Sequence, residues 1–556
     1  MDLTMALPLA KVRLFPKFAT FLLSFLPPKL YLCPKSHRVM NNERLYPIGI
    51  QTFEEIRRDN RYYVDKTHHV YRLAHTDKYY FLSRPRRFGK SLLVSTLEAY
   101  FSGRRELFEG LSIAELEQDW TVYPVLHLDL NQSDYRREDS LEEVLNNTLC
   151  DWENRYGTKP SETTPALRFQ GVVQRAYEQT GHQVVILVDE YDKPLLSTML
   201  DEPLQAHYRA QLKAFYGVLK QQDPYIRFAL LTGVTKFSKV SIFSDLNNLM
   251  DISLLPEYAD LCGITEEEIH NCFERPLHQL AEAKRITYEA ALNKLRDMYD
   301  GYHFGPHAVG VYNPFSLLCA LRAQDYGSYW FETGTPTFLV DLLQQTDYDL
   351  ERLTHEEVIA TALGDVSNFR TNPIPMFYQS GYLTIHDYDE EFNSYTLGFP
   401  NREVERAFIH FLLPRYLPAL ETQGATNLNG FVRDVRRGDP EMFMQRLQAF
   451  YAGADYQIAG DREKYFHNTL FLLFHLLGFY TQVERHTSRG SIDLVVQTKD
   501  YIYLIECKLD KSAREALQQI EDKGYAAPFA TDPRRLFKIG LNFSSETRCI
   551  SEYAIA

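Results

Sequence analysis

Short apolar runs alternate with longer amphipathic stretches through the first half of this 556-residue chain. The runs predict strands, and the run at 184–188 is apolar at every position, which is typical of a strand covered on both faces of a parallel sheet. The stretches between the runs have helical periodicity. The predicted strands are 79–82, 125–130, 184–188 and 228–231, and the predicted helices are 90–101, 139–156, 165–180 and 203–221. This alternation predicts an α/β fold with a doubly wound parallel sheet.

The pattern changes after about residue 255. It is mainly helical to about 350 and of mixed character to about 400, and a strongly apolar helix begins near residue 465. Two short strands at 491–497 and 501–508 follow, and an amphipathic helix at 513–525 ends the pattern. We therefore predict a first α/β domain at 40–255, a helical lid and connecting region at 256–455, and a smaller α/β domain at 456–556.

The N-terminal segment, 1–39, differs from the rest of the chain because it has six basic residues and one acid. Its apolar stretch, 18–26, is far shorter than the ~20 residues of a membrane span. Prolines follow the stretch where a secretory signal would have a small-residue cleavage site. We expect translation to start at Met40, with a targeting or membrane-surface segment as the alternative, and no stable membrane insertion.

Composition excludes several classes of protein. A hydrophobic fraction of 45% with 24% charged residues is typical of a globular chain, so collagen, coiled-coil and largely disordered proteins are excluded. The net charge of −14 excludes a uniformly basic nucleic-acid-binding surface but leaves room for a local basic groove. Seven scattered cysteines without a CxxC pair indicate reduced thiols and predict a cytoplasmic protein.

The first chemical motif is Gly89-Lys90-Ser91, which follows a predicted strand and begins a predicted helix. At such a position the glycine lets backbone N–H groups approach phosphate oxygens, the lysine reaches the β- and γ-phosphates, and the serine hydroxyl coordinates Mg²⁺. Arg84 replaces the first glycine of the general GxxxxGK[ST] pattern. The tripeptide alone is therefore a weak signal, and a helix start with an exposed lysine is the alternative.

The loop between that strand and Gly89 contains three arginines. Arg84, Arg86 and Arg87 are candidates for contact with phosphate or with a neighbouring subunit. Exposed loop positions are the default for this residue type, and we expect all three to be exposed.

Two adjacent carboxylates, Asp189 and Glu190, end the apolar run that begins at Val184. Asp189 is placed to hold a Mg²⁺ ion through its water shell, and Glu190 to polarise the water that attacks the γ-phosphate. Solvated acids at a strand end are the alternative for this pair alone. The order of strand, GKS, helix and then apolar strand with two acids favours a nucleotide site.

Polar residues also follow the predicted strand at 228–231. Thr232 or Thr235 fits a contact with the γ-phosphate, with Thr232 the preferred candidate, and Lys236 or Lys239 could supply positive charge. A threonine directly after a strand is also a common turn residue.

The second constellation lies near the C-terminus. Glu506 and Lys508 are two residues apart in a predicted strand, so they share one face, and a hairpin partner can bring Asp493 beside them. Two carboxylates can then bind Mg²⁺ while the lysine orients or deprotonates a water that attacks phosphorus. The alternative is a set of solvated residues on an edge strand.

These motifs carry two resemblances. The runs SRPRRFGKS and VVILVDEYDKPL, with YPIGIQTF, YVDKT, LLTGVTKFSK and YDGYHFG, resemble the AAA-ATPase-like family of bacterial proteins over roughly residues 45–255. This resemblance implies a P-loop ATPase core with an additional strand, which binds ATP and Mg²⁺. Residues 462–530 resemble the PD-(D/E)xK nuclease superfamily, which implies a restriction-endonuclease-like fold. There the segment ALQQIEDKGYA implies that Gln519 and Tyr525 line the site.

Together, these features predict an ATPase coupled to a metal-dependent nuclease domain that acts on DNA rather than RNA, and they suggest a homo-oligomer. One alternative is an ATP-dependent regulatory switch whose C-terminal domain binds nucleic acid without cleaving it. Another is a nuclease whose P-loop is purely structural. The distinctive segment WFETGTP at 330–336 indicates no chemistry by itself.

Overall fold

A computed structural model describes residues 44–237, 248–333, 337–346, 348–364, 366, 368–416, 424–452, 462–478, 482–485, 493–547 and 549–556. The predicted N-terminal extension at 1–39 and Lys239 lie outside these residues. Leu45–Ala556 form one compact unit, and the boundaries of the three predicted domains stay a prediction.

Among the described residues, the first sheet has five strands in the order β2-β3-β4-β1-β5, and every paired neighbour is parallel. Its strands are β1 (Tyr79–Ser83), β2 (Val125–Asp129), β3 (Val184–Asp189), β4 (Ile226–Gly233) and β5 (Met250–Asp251). The parallel sheet is confirmed, and β4 lies between β1 and β3 as the additional strand. Ser83 pairs with Gly233 and Asp129 with Asp189, so these strands end at the same level. The loops that follow β1, β2, β3 and β4 therefore lie together at the carboxyl end of the sheet.

Helices cover both faces of this sheet. They are α1 (Phe53–Arg58), α2 (Thr67–Thr76), α3 (Lys90–Phe101), α4 (Ile113–Leu116), α5 (Ser140–Tyr156), α6 (Pro165–Thr180), α7 (Lys193–Ser197) and α8 (Glu202–Gln221). The starts of α6 and α8 follow from their sequences. Thr164 and Asp201 are N-caps whose side chains accept hydrogen bonds from backbone N–H groups of the first turn, and each helix has proline at its start.

The middle region combines helices with a small antiparallel sheet that the sequence analysis did not predict. Its helices are α9 (Glu266–Lys284), α10 (Tyr288–Tyr299), α11 (Pro314–Ala323), α12 (Thr337–Gln345), α13 (Ala360–Leu363), α14 (Ile374–Gln379), α15 (Arg402–Tyr416), α16 (Gly424–Arg437) and α17 (Pro440–Ala452). The strands β6 (Glu356–Ile359), β7 (Thr384–Asp389) and β8 (Ser394–Gly398) form the order β6-β8-β7.

The C-terminal sheet has the order β13-β12-β11-β10-β9. Its elements are α18 (Arg462–Gly478), β9 (Gln482–Arg485), β10 (Leu494–Gln497), β11 (Tyr501–Leu509), α19 (Ala513–Asp522), β12 (Arg535–Phe543) and β13 (Ile550–Ile555). The expectation that the pattern ends in a helix is wrong, because α19 connects β11 to a parallel strand, β12, and β13 follows. Ile520 of α19 packs on Val495, Ile502 and Leu504 of the sheet.

Among the helices in the described ranges, none has both the length and the apolar run that a bilayer span requires.

Candidate functional site

The loop between β1 and α3 has the geometry of an anion-binding turn. Gly89 precedes α3 with φ +97°, a left-handed conformation that glycine adopts readily, and Lys90 is the first helical residue. The unpaired backbone N–H groups and the positive dipole end of α3 therefore face the end of this loop.

Lys90 is buried beneath the loop, with 4% of its surface exposed. Its Nζ donates to the carbonyl oxygens of Arg84 and Pro85, at 3.1 and 3.3 Å, and lies 3.7 Å from Glu190 Oε1. The ammonium group thus lies between the loop backbone and the acid at the end of β3. Ser91, the next residue, is half-buried in the first turn of α3.

Arg84 corrects one expectation, because it is only 1% exposed. Its guanidinium donates to the carbonyl oxygens of Ser253, at 2.7 Å, and Tyr258, at 3.0 Å, and lies 4.1 Å from the centre of the Phe304 ring. Burial lowers the pKa of Arg84. A buried arginine thus anchors the start of the loop where the general motif has glycine.

Arg86 and Arg87 are exposed, as expected. Arg87 has φ +68°, and its guanidinium lies 4.8 Å from the centre of the Phe315 ring. Both arginines line the cavity beside Lys90.

The two predicted acids lie at the carboxyl end of β3. Asp189 is buried, and its Oδ1 accepts hydrogen bonds from Thr232 Oγ1, at 2.5 Å, and from the backbone N–H of Glu190, at 3.1 Å. Glu190 has φ +54°, a conformation that non-glycine residues rarely adopt. Its side chain is partly exposed and lines the same cavity as Lys90.

The polar residues after β4 lie behind these acids. Thr232 is fully buried against Asp189, so it holds a candidate metal ligand in place and does not line the cavity. Thr235 donates from Oγ1 to Asp192, at 2.6 Å, and Lys236 forms an ion pair with Asp251. The contact of Thr232 with a γ-phosphate stays a prediction.

Asp192 is a buried acid that the sequence analysis left without a role. It accepts hydrogen bonds from the backbone N–H groups of Val234 and Thr235, which fixes the loop after β3 against the loop after β4. Burial and the nearby Glu190 carboxylate raise the pKa of Asp192 to about 6.

A cavity of about 380 Å³ opens over the loop and the end of β3. Among its described lining residues, four are basic and one is acidic, namely Arg86, Arg87, Lys90, Lys193 and Glu190. This surplus of positive charge favours a polyanionic ligand, and the volume lies within the about 300–1,000 Å³ of small-molecule sites.

Sequence reasoning missed two of the polar lining residues of this cavity. Lys193 belongs to the VDEYDKP motif, and Asn131 follows β2. Both residues follow the carboxyl ends of parallel strands, where ligands bind in open α/β sheets, and this position could have identified them.

The structure brings the three residues of the C-terminal constellation close together. Leu494 of β10 pairs with Ile505 of β11, which places Asp493 beside Glu506. Asp493 Oδ2 accepts a hydrogen bond of 2.8 Å from the backbone N–H of Cys507. Lys508 Nζ lies 2.8 Å from Glu506 Oε1, so the two side chains share one face of β11.

Glu506 has the environment of a metal ligand. It is 1% exposed, its Oε1 accepts from Lys508 and from Gln519 Nε2, and its Oε2 is buried without a hydrogen-bond partner among the described residues. Burial, followed by the Asp493 carboxylate, raises the pKa of Glu506. A second carboxylate and an unpartnered buried oxygen fit a divalent cation, which prefers oxygen ligands.

Gln519 and Tyr525, the two residues implied by the nuclease resemblance, differ in their placement. Gln519 reaches Glu506 from α19. The hydroxyl of Tyr525 is buried without a hydrogen-bond partner in the described part of the chain.

Comparisons with known proteins cover both sites. Residues 47–243 match the AAA-ATPase-like family model, described as a predicted AAA-ATPase, and residues 461–553 match a model of the PD-(D/E)XK nuclease superfamily. The chain is similar to the "Uncharacterized protein in vnfD 5'region" of Azotobacter chroococcum mcd 1. The two are 36% identical over 535 residues, which cover 93% of this chain and 99% of the relative. The chain therefore belongs to the AAA-ATPase-like family and carries a PD-(D/E)XK nuclease superfamily domain at its C-terminus.

Proposed function

We propose that this protein binds and hydrolyses ATP in the cavity over Gly89-Lys90-Ser91 and couples this reaction to metal-dependent cleavage of DNA by its C-terminal domain. The observation that carries the proposal is the cavity itself. Its lining combines basic side chains, the start of α3 and Glu190. It also includes apolar residues, namely Pro47, Ile48, Phe315 and Leu318. Phosphates fit the basic groups, and a flat aromatic base fits the apolar residues.

In this proposal each residue of the ATP site has one task. Lys90 and Arg86 neutralise phosphate charge, and Ser91 and Asp189 would hold the Mg²⁺ ion. Glu190 accepts a proton from the attacking water, whose oxygen bonds to the γ-phosphorus as the bond to the β-phosphate oxygen breaks. Bound Mg²⁺ would supply charge neutralisation at the β- and γ-phosphate oxygens. The products are ADP and phosphate.

At the C-terminal site Asp493 and Glu506 would hold the divalent cation. The cation would supply a Lewis acid and a bound water with a lowered pKa. Lys508 places a positive charge 2.8 Å from Glu506, where it can orient water and stabilise charge on a phosphodiester. Gln519 fixes the other side of the same carboxylate oxygen.

The ATPase proposal is tested by phosphate release from ATP in Glu190→Gln. Since a positioned general base contributes about 10²–10⁴-fold, we expect turnover to fall at least 100-fold while ATP still binds. Glu178→Gln, the same change at an exposed position of α6, serves as the control and should retain activity. Unchanged turnover in Glu190→Gln would deny this residue its role.

The nuclease proposal is tested with Lys508→Ala against Lys523→Ala, an exposed lysine that follows α19 in the same domain. We expect Mg²⁺- or Mn²⁺-dependent DNA cleavage to be lost in the first variant and retained in the second. DNA binding without cleavage by the folded wild-type protein would favour the regulatory switch instead.

A further inference from the structure

The WFETGTP segment reaches the phosphate loop through its tryptophan. Trp330 is buried, with 5% of its surface exposed. Its indole Nε1–H donates a hydrogen bond of 3.0 Å to the carbonyl oxygen of Arg86, a residue 244 positions earlier in the chain. Arg86 is one of the loop residues that line the cavity, so Trp330 holds the backbone that presents this charge.

The same face of the loop packs against the turn after α14. Gly381 has φ +88°, and a Cβ atom at this position would lie 2.7 Å from Pro85 Cβ and 3.5 Å from Trp330 Cζ2. The ring of Tyr382 lies 5.2 Å from that of Trp330. Trp330 is therefore enclosed by the phosphate loop and the turn after α14, and it has little room to move independently of either.

Trp330 also contacts α15 of the middle region. Its backbone N–H donates to Glu403 Oε1, at 2.7 Å, and Glu403 is a buried residue in the first turn of α15. Two residues further along α15, Glu405 Oε1 lies 2.7 Å from His475 Nε2 of α18. The helix α18 lies within the match to the nuclease superfamily. A series of contacts through Trp330 and α15 therefore connects the phosphate loop to that domain.

We propose that Trp330 is a positioning residue of the ATP site, which holds the Arg86 backbone and passes a change in the loop to α15. This inference rests on the proposed binding of ATP in the cavity. A phosphate group that pulls on the loop shifts the Arg86 carbonyl, and a buried indole N–H must follow its acceptor or lose its hydrogen bond. In either case the surroundings of the Trp330 ring change when nucleotide binds.

Fluorescence tests this directly because the chain has only three tryptophans, Trp120, Trp152 and Trp330. The full-length W120F/W152F variant retains Trp330 as the single tryptophan. We expect a saturable change in its emission on titration with Mg²⁺ and a non-hydrolysable ATP analogue, with the same midpoint as binding of the labelled analogue in equilibrium dialysis. Adding K90A should abolish both signals.

These measurements distinguish a failure of the role of Trp330 from a failure of the proposed ATP binding. Binding in dialysis without any change in Trp330 emission would overturn the role of Trp330 and leave the ATP site intact. Absence of binding in dialysis would contradict the proposed function, and with it this inference.

A second measurement isolates the indole N–H. Trp330→Phe keeps an aromatic ring and removes the donor, so we expect ATP to bind about three- to tenfold more weakly, as the loss of one neutral hydrogen bond implies. Trp120→Phe is the matched control, because the Trp120 indole N–H is buried without a hydrogen-bond partner in the described residues. Equal ATP affinities of the two variants, with similar melting temperatures, would overturn the proposal.

Discussion

Replacing Arg84 by glycine restores the residue that a phosphate loop usually has at this position, yet we expect the change to destabilise the protein. The guanidinium makes two hydrogen bonds to the distant carbonyls of Ser253 and Tyr258 and covers the Phe304 ring. Hydrogen bonds from a charged donor contribute about 1.5–3 kcal/mol each, and a desolvated cation–π contact about 2 kcal/mol.

The desolvation of the buried charge offsets part of this sum, and the two carbonyls lose their partner in the variant. We expect a net loss of about 3 kcal/mol in the free energy of unfolding. For a cooperative unit of 150–250 residues this corresponds to a melting temperature lower by about 6–12 °C.

Arg87→Gly is the matched control because it removes a guanidinium from the same loop. Arg87 is exposed, and its φ of +68° suits glycine, so we expect its melting temperature to stay within about 2 °C of wild type. The measurement is thermal unfolding followed by circular dichroism. If Arg84→Gly and Arg87→Gly melt together, the anchoring role of Arg84 is wrong.

Three further predictions concern pH and packing. Because burial raises the pKa of Glu403 from 4.5 to about 7, the stability from its protonated form is present below pH 4.5 and is lost as the pH rises through 7. Urea unfolding should show wild type losing about 3 kcal/mol more than Glu403→Gln over that range, and equal losses would refute this. Burial raises the pKa of Glu506, so a proton competes with a cation, and calorimetry should show Mn²⁺ binding that weakens as the pH is lowered, more steeply in wild type than in Glu506→Gln. A side chain at Gly540 would collide with the Ala513 carbonyl and displace α19, so Gly540→Ala should lower stability by about 1–3 kcal/mol in thermal melts, and an unchanged melting temperature would contradict this packing.

The sequence predicted the parallel sheet well because its signals are local. The run from Val184 is apolar at every position, and the strand in the structure is one residue longer than predicted, ending at Asp189. A short loop after β1 ends at Gly89, and Lys90 begins the helix, so their backbone geometry follows from neighbours in the chain. Similarly, the two-residue alternation places Glu506 and Lys508 on one face.

Several strands were missed, and β12 and β6 illustrate two different reasons. The strand β12 has a readable alternation at Phe537, Ile539 and Leu541, all buried, and it was overlooked after the amphipathic helix. The strand β6 has only four residues with alternating burial, which is too short for its pattern to stand out.

Features that depend on distant residues could not be read from the sequence. The burial of Arg84 requires Tyr258 and Phe304, and the contact of Trp330 with Arg86 joins positions 244 residues apart. Lys193 was visible in its motif, but only the folded sheet edge brings it to the same cavity as Lys90.

The coupling of the two sites is tested most directly by the cleavage of supercoiled plasmid and single-stranded DNA with Mg²⁺ or Mn²⁺, with and without ATP. The variants compared with wild type are Lys508→Ala and Lys90→Ala. We expect ATP to change the cleavage rate of wild type, Lys508→Ala to be inactive, and Lys90→Ala to cleave at a rate that ATP does not alter. Cleavage by wild type that is indifferent to both ATP and Lys90→Ala would contradict coupling, and no cleavage by folded wild type under any of these conditions would contradict the nuclease.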